Sequence, residues 1–432
     1  MSRFQLIFTG ILVVLGIAGA IVFAVSKNSG SQGALEVVMW GTLKAQNVSE
    51  FVSKANADNR DTLNVTYVEK KPATFESELV AALARGTGPD MVLLPQDLVV
   101  KQFDKFYVVP FSTYSERDFK NSFIPEGELY LVHGEEVKGV VGFPFSVDPL
   151  VMYWNRDIFS NAGLAVPPKS WTEFFALVPD LTAKDQNDNI TRSAIAFGEA
   201  RNVVHFKEAL SLLALQAGTP IVGRNSQGEL ASFLSMRGTG LVPAEEAVSY
   251  FTEFSNPLKP SYSWNRSLPA DKSAFSAGRL AVYFGFASEL PSIRAANPNL
   301  DFDVTEVPQT SGKRMTFGNM NAIALLKASK NLASAYTAAV TLTSQALQKQ
   351  WVDMSGFPPV RRDLLAAVPG DAYQAVFYKS ALISNAWLDP NREATMDVFR
   401  RLIENVSSGK LRVSESVAAA SQEIDGLLRS DI

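Results

Sequence analysis

Nucleophiles, acid–base pairs and metal ligands are scarce in this 432-residue chain: it has no cysteine, and its two histidines are His133 and His205. Thiol catalysis, disulfides and thiolate zinc sites are excluded, and imidazole ligation or a histidine-based triad has only two residues to draw on. His133 lies in the polar turn His133-Gly-Glu-Glu and reads as a surface residue. His205 opens an amphipathic helix after Ala200-Arg-Asn-Val-Val, where a helix-start role and a site role both stay open. The carboxylate pairs Glu135-Glu136 and Glu245-Glu246 are adjacent in sequence, so on a strand or helix they point apart. Glycoside hydrolysis needs two acids facing each other across about 5–10 Å, so both pairs read as solvated surface. No phosphate loop, dinucleotide fingerprint, nucleophile elbow or metalloprotease helix is present. The expectation is no catalytic residue, no metal, no cofactor and no enzymatic activity.

Composition narrows the class further. With 47% apolar and 19% charged residues the chain is globular, and its length suggests two or three domains. Forty Lys and Arg against 44 Asp and Glu give a net charge of −4, without the basic excess that binding a nucleic acid requires.

The N-terminus carries the location signal. Phe4 to Val25 is apolar apart from Gln5 and Thr9, and these 22 residues would span about 33 Å as a helix, enough for a hydrocarbon core. A secretory signal peptide has a shorter apolar run and a small-residue cleavage site, for which only Ala24-Val-Ser26 is a passable match. Residues 1–26 therefore read as a single-pass transmembrane anchor, with a signal sequence as the alternative, followed by a tether at 27–34 and an extracytoplasmic body. Without a cysteine after the apolar run, a lipid anchor is excluded.

The body opens with a strand around Leu35–Trp40, a helix carrying Val48, Phe51, Val52 and Ala55, and a β-branched strand over Leu63–Val68. A helix capped by Thr74 with Phe75, Leu79, Ala82 and Leu83 on one face follows, then the strand Met91–Leu94. That alternation predicts a parallel sheet with helices on both faces and a ligand crevice at the carboxyl ends of its strands, next to Trp40-Gly-Thr42 and Pro95-Gln96-Asp97. Val137 to Trp154 is a long extended stretch broken by Pro144 and Pro149, suited to a crossing between two lobes. Ser170-Trp-Thr-Glu173 is a capping box. Helices are expected over 205–216, 243–254 and 270–277, strands over 279–284, 302–307 and 321–326, and helix from 332 to 428.

Several of these segments fall in the order of a known family. Phe143-Pro-Phe-Ser-Val-Asp-Pro-Leu-Val-Met-Tyr-Trp-Asn-Arg-Asp-Ile-Phe, then Pro167-Pro-Lys-Ser-Trp-Thr-Glu-Phe, resemble a first hinge crossing and the two helix starts after it. Ala84-Arg-Gly-Thr-Gly-Pro-Asp-Met-Val, Ala274-Phe-Ser-Ala-Gly-Arg-Leu-Ala-Val and Leu300-Asp-Phe-Asp-Val-Thr-Glu-Val-Pro add support. The chain resembles the family 1 extracellular solute-binding proteins, the maltose-binding-protein-like substrate-binding components of ABC importers, over essentially residues 35–430. The resemblance implies an α/β, two-lobed periplasmic-binding-protein-like (type II) fold with an interdomain cleft. Residues 35–144 and 275–316 would form the first lobe, and 145–274 and 317–432 the second. It also implies a monomer that captures a small solute, most simply a carbohydrate, by hinge closure and passes it to an ABC permease. The alternatives are a ligand-presenting sensor subunit and, further off, a carbohydrate-active hydrolase.

A carbohydrate cleft needs flat aromatic faces, planar amides and carboxylates. By analogy Trp40 and Thr42 follow the first strand, with Trp40 equally suited to the core. Gln96 and Asp97 follow the third strand, where Asp97 could instead cap a helix. Asp148 inside the crossing either contacts ligand or makes a hinge hydrogen bond. Phe286, in Gly285-Phe286, occupies the place of a stacking tryptophan in a family loop and offers a smaller platform. Asn319 and Asn321 enter the last crossing as polar contacts or turn formers. Trp264 and Trp387 lie in loops that the family turns toward its cleft, although a loop tryptophan also serves packing, and Asn202 is a further candidate.

Overall fold

The computed structural model describes residues 34–134, 137–238 and 240–430. The anchor or signal sequence expected at 1–26, all but the last residue of the tether, and the pair Glu135-Glu136 lie outside them. No described helix is long and apolar enough to cross a membrane. The chain divides into two compact units: the described residues up to Val92 with Leu325–Ser344, and Leu93–Ala324 with Gln345–Ile432. These boundaries differ from the lobe boundaries expected at residues 144, 274 and 316.

In the first unit the strand Val37–Gly41 pairs in parallel with Val65–Glu69, from Val37↔Val65 to Gly41↔Glu69, and with Met91 and Val92 on its other side. The helix Ala45–Asp58 buries Val48, Phe51, Val52 and Ala55, the spacing read from sequence. Phe75–Ala84 buries Phe75, Leu79 and Ala82, whereas Leu83 is only half-buried. Thr74 precedes this helix without capping it: its hydroxyl donates to Glu78 Oε1 at 2.6 Å instead of accepting a backbone N–H. Asp90 fastens the sheet from within, accepting Val38 N–H at 2.9 Å and the Ser329 hydroxyl at 2.7 Å.

The second unit is organised on the 13-residue strand Phe143–Asn155. Its first half pairs antiparallel with Thr316–Leu325, from Pro149↔Gly318 to Phe143↔Ile323. Its second half runs between Leu280–Phe286 and Phe302–Thr305, both antiparallel to it. A proline cannot donate to a ladder and is tolerated at an irregularity or a strand's edge. Pro144 sits where the register shifts between Asn321 and Ala322, and Pro149 sits where the strand changes partners. The two prolines thus interrupt the pairing without ending the strand.

The helix Trp171–Leu181 begins at the predicted capping box, with Ser170 and Glu173 bonding each other's backbone. Phe206–Gln216 is buried around nearly its whole circumference. Arg392–Ser407 and Val413–Ser430 contribute Val398, Leu402, Val417 and Ile424 to the same apolar core. Gly285-Phe286 ends the strand Leu280–Phe286 and is not part of the loop after it, and Asn319 and Asn321 lie inside a ten-residue strand that begins at Thr316.

Gly318 lies at a crowded point of that strand. A Cβ there would collide with Glu126 Oε2 and Ser384 Oγ, so only glycine fits. Beside it Gln96 fastens the strand with both ends of its amide, Nε2 donating to Gly318 O at 2.7 Å and Oε1 accepting Met320 N–H at 3.0 Å. The Tyr130 hydroxyl is shared between Leu94 O at 2.9 Å and Met320 O at 3.0 Å.

Candidate functional site

Four of the residues selected from sequence, Gln96, Asp97, Asn319 and Trp387, line one cavity of the second unit, with ≈ 20 Å³ for water-sized molecules and ≈ 330 Å³ of non-atom space once open solvent is counted. Short segments supply them. Gln96 and Asp97 open a 3₁₀ turn directly after the strand Met91–Pro95, Asn319 follows Gly318 on its strand, and Trp387 stands in the loop between Asn385 and Arg392. Phe317 adds an apolar wall.

Trp387 is 3% exposed, donates Nε1–H to Ser211 Oγ at 3.1 Å and stacks on Phe399 at 6.0 Å with the rings 14° apart. The remaining wall is ionic and was not read from the sequence. Lys207 is buried, pairs with Asp389, donates to Thr395 Oγ1 at 2.7 Å, and its ammonium lies 5.3 Å from the Trp387 ring centroid. Arg392 Nη1 donates to Asp97 Oδ2 at 3.1 Å. Burial pushes the Asp97 carboxyl above its ordinary range against the pull of Arg392. Glu208 completes the lining.

Two sequence signals bear on this wall. Lys207 and Glu208 are ionic residues on an otherwise apolar helix, and Asp389 and Arg392 follow Trp387 in the same loop. Alternation and helical period do not register the first, and no spacing rule registers the second.

The other selected residues go elsewhere. Asn321 stands opposite Ser146, whose Oγ lies 3.5 Å from its Nδ2, and Asp148 stands opposite the cavity residue Asn319 across the strand pair. Asp148 Oδ1 accepts Ser288 N–H at 2.9 Å, and burial pushes its carboxyl up to about 6. Phe286 is 5% exposed and meets the His205 ring edge to face at 4.9 Å. Its N–H is taken by Glu289, which also holds His205 at 2.7 Å and Lys272 at 2.5 Å. Burial pulls the His205 imidazole down, but the Glu289 carboxylate outweighs it and raises the net value. His205 is thus a helix-start residue in an ionic cluster with Glu289, while His133 is exposed beside Glu116.

Trp264 and Asn202 pair with each other. Trp264 is 1% exposed and donates Nε1–H to Asn202 Oδ1 at 3.1 Å, while Asn202 Nδ2 donates to Asn265 O and Leu268 O, each at 2.9 Å. Trp264 offers no ring face to solvent, and the Asn202 amide is spent on holding one loop. Trp40 and Thr42 belong to the first unit, where Lys70 Nζ sits 3.8 Å over the half-buried Trp40 ring.

A further buried group escaped the sequence reading. Glu126 is fully buried in the 3₁₀ segment Pro125–Tyr130, where Oε2 accepts the Ser384 hydroxyl and Oε1 has no partner. Burial pushes its carboxyl up to about 8, with Ser384 pulling it down and Asp148 raising it. The Ser384 contact and the fit of Gly318 place this carboxyl against the strand that carries Asn319.

The described residues hold no group of three or more His, Cys, Asp or Glu that could bind a metal ion. Residues 50–377 match the family described as bacterial extracellular solute-binding protein. The chain belongs to that family.

Among its relatives, a binding protein of Brucella abortus is 22% identical over 362 residues, 82% of each chain. The sn-glycerol-3-phosphate-binding periplasmic protein of Pectobacterium atrosepticum is 24% identical over 176 residues, 39% of this chain and 38% of that one. A cyclo/maltodextrin-binding protein solved with maltotetraose superposes with a TM-score of 0.73 at 18% identity, over 92% of this chain and 98% of that one. At that identity the likeness is one of fold: a mixed α/β architecture shared with a sugar-binding protein. Membership of an extracellular family places the body of this family member outside the cytoplasm.

Proposed function

We propose that this solute-binding protein captures a small carbohydrate in the cavity beside Trp387, by hinge closure of lobes at 35–144 with 275–316 and 145–274 with 317–432. It acts as a monomer without catalysis, is held at the membrane by the apolar segment in residues 1–26, and delivers its solute to an ABC import permease. One observation carries the reading: Gln96, Asp97, Asn319 and Trp387, chosen for chemistry that suits a sugar, line a single cavity. The indole edge of Trp387 supplies an apolar wall, and a planar amide and a carboxylate are groups that orient hydroxyls. The Asn319 amide and the Asp97 carboxylate supply polar contacts, while Gln96 is the support that holds the Asn319 strand.

Titration calorimetry of the full chain against a panel of mono- and oligosaccharides, paired with small-angle scattering, tests it. At least one sugar is expected to bind and to compact the protein. No binding and no compaction across the panel would refute the reading. Membrane fractionation of the full chain against one lacking residues 1–26 tests the anchor.

A further inference from the structure

The cavity beside Trp387 is lined by three carboxylates, Asp97, Glu208 and Asp389, against two cations, Lys207 and Arg392. Lys207 is fully committed, its ammonium held by Asp389, by Thr395 Oγ1 at 2.7 Å and by the Arg392 carbonyl at 3.4 Å, with 7% of its side chain exposed. Arg392, whose side chain is 55% exposed, is the cation an incoming anion could reach, and Asp97 already occupies it at 3.1 Å. Glu208 and Asp389 act on the same guanidinium.

We propose that Asp97 is a specificity-determining residue: by occupying Arg392 in a cavity with an excess of carboxylates, it makes this site reject phosphorylated and carboxylated solutes and accept uncharged polyols. This rests on the reading of the cavity as the solute site. A hydroxyl can donate to Asp97 and accept from Arg392 while the pair stays intact, because it brings no charge of its own. A phosphate dianion that reached the remaining N–H groups of Arg392 would meet a cation already neutralised by Asp97 and would sit beside three carboxylates, in a partly desolvated space where like charges repel strongly. Discrimination of this kind comes from a repulsive element placed against the wrong ligand.

The test uses calorimetry with sn-glycerol 3-phosphate, inorganic phosphate and a panel of neutral sugars, on the full chain and its variants. The wild type is expected to bind neither anion at millimolar concentration. Asp97→Asn, which frees Arg392 and removes one negative charge, gains at least tenfold in affinity for sn-glycerol 3-phosphate. Asp97→Glu keeps the rejection, and adding Arg392→Gln to Asp97→Asn abolishes the gain. Asp97→Ser replaces Asp97→Asn if the latter melts too low to titrate.

Binding of sn-glycerol 3-phosphate by the wild type, or no gain in either Asp97 variant, overturns the proposal. Failure of every neutral sugar overturns the carbohydrate reading and the accepting half of the proposal. The gain in the Asp97 variants still measures the rejecting half, so the two failures are distinguishable.

Discussion

Trp264 and Trp387 look alike from a distance. Both stand in loops, both are almost fully buried, and both donate their indole N–H to a neutral side chain. They differ in what surrounds them. Trp264 bonds an asparagine whose amide is otherwise spent on two carbonyls of one loop, a closed and uncharged arrangement. Trp387 stands under an ammonium and borders a cavity whose rim includes a half-exposed arginine. Burial of the indole therefore does not distinguish a loop tryptophan in a closed, uncharged setting from one at the edge of an ionic cavity; the state of the neighbouring polar groups does.

The contrast can be broken most forcefully at Lys207. Lys207→Met leaves Asp389, 5% exposed, without its cation, and a loss of about 3–5 kcal/mol is expected in chemical denaturation. Adding Asp389→Leu should recover much of it, whereas an unchanged midpoint in the single variant would show that the pair is not the buried support described. Next, Trp264→Ala should cost about 3–5 kcal/mol and leave the solute affinity of the folded protein unchanged. Trp387→Phe should do the opposite, lowering affinity at least tenfold because the smaller ring withdraws the edge that borders the cavity, for a stability loss of about 1–2 kcal/mol from the lost bond to Ser211. Equal affinity losses at the two positions would erase the distinction. Asn202→Ala, which orphans the Trp264 N–H and two carbonyls, should cost about 1–3 kcal/mol, again without an affinity effect.

The last prediction is a slope with pH. Glu126 is held up to about 8 in the fold, against roughly 4.3 for an unfolded glutamate. Both states are protonated below that lower value, so the acid changes nothing there. Between the two values the unfolded chain releases the proton while the fold retains it, and stability falls as pH rises, levelling above about 8. Asp148 adds a similar decline that ends near 6. Melting temperatures of Glu126→Gln across pH 5–8 should therefore be flatter than those of the wild type; parallel curves would mean that Glu126 ionises normally.

Local pattern made much of the scaffold legible. Helical spacing gave the buried face of Ala45–Asp58, the Ser170–Glu173 box gave the start of the next long helix, and the proline-broken stretch after Val137 gave the long strand. Thr74 misled because a threonine before a helix has two uses for its hydroxyl, and the nearby Glu78 drew it away from the backbone. At the site, residue type pointed to Gln96, Asp97, Asn319 and Trp387, yet it could not separate them from Trp264 and Asn202, whose partners lie some sixty residues away in sequence. Lys207, Glu126 and Arg392 stayed hidden because the groups that engage them come from segments 182, 258 and 295 residues distant, a relation no local period encodes.

Gly318 turns the crowding around Glu126 and Ser384 into a gauge of alignment. If the strand Thr316–Leu325 slid by one residue along its partner, Phe317 or Asn319 would arrive at a spot with no room for a single methyl group. A one-residue insertion or deletion within this strand therefore has no neighbouring alignment to settle into, whereas the same change in the segment between Thr305 and Thr316 leaves the spot occupied by glycine. The pinch point thus fixes Asn319 opposite Asp148, and sets where the chain can change length while keeping the cavity wall in place.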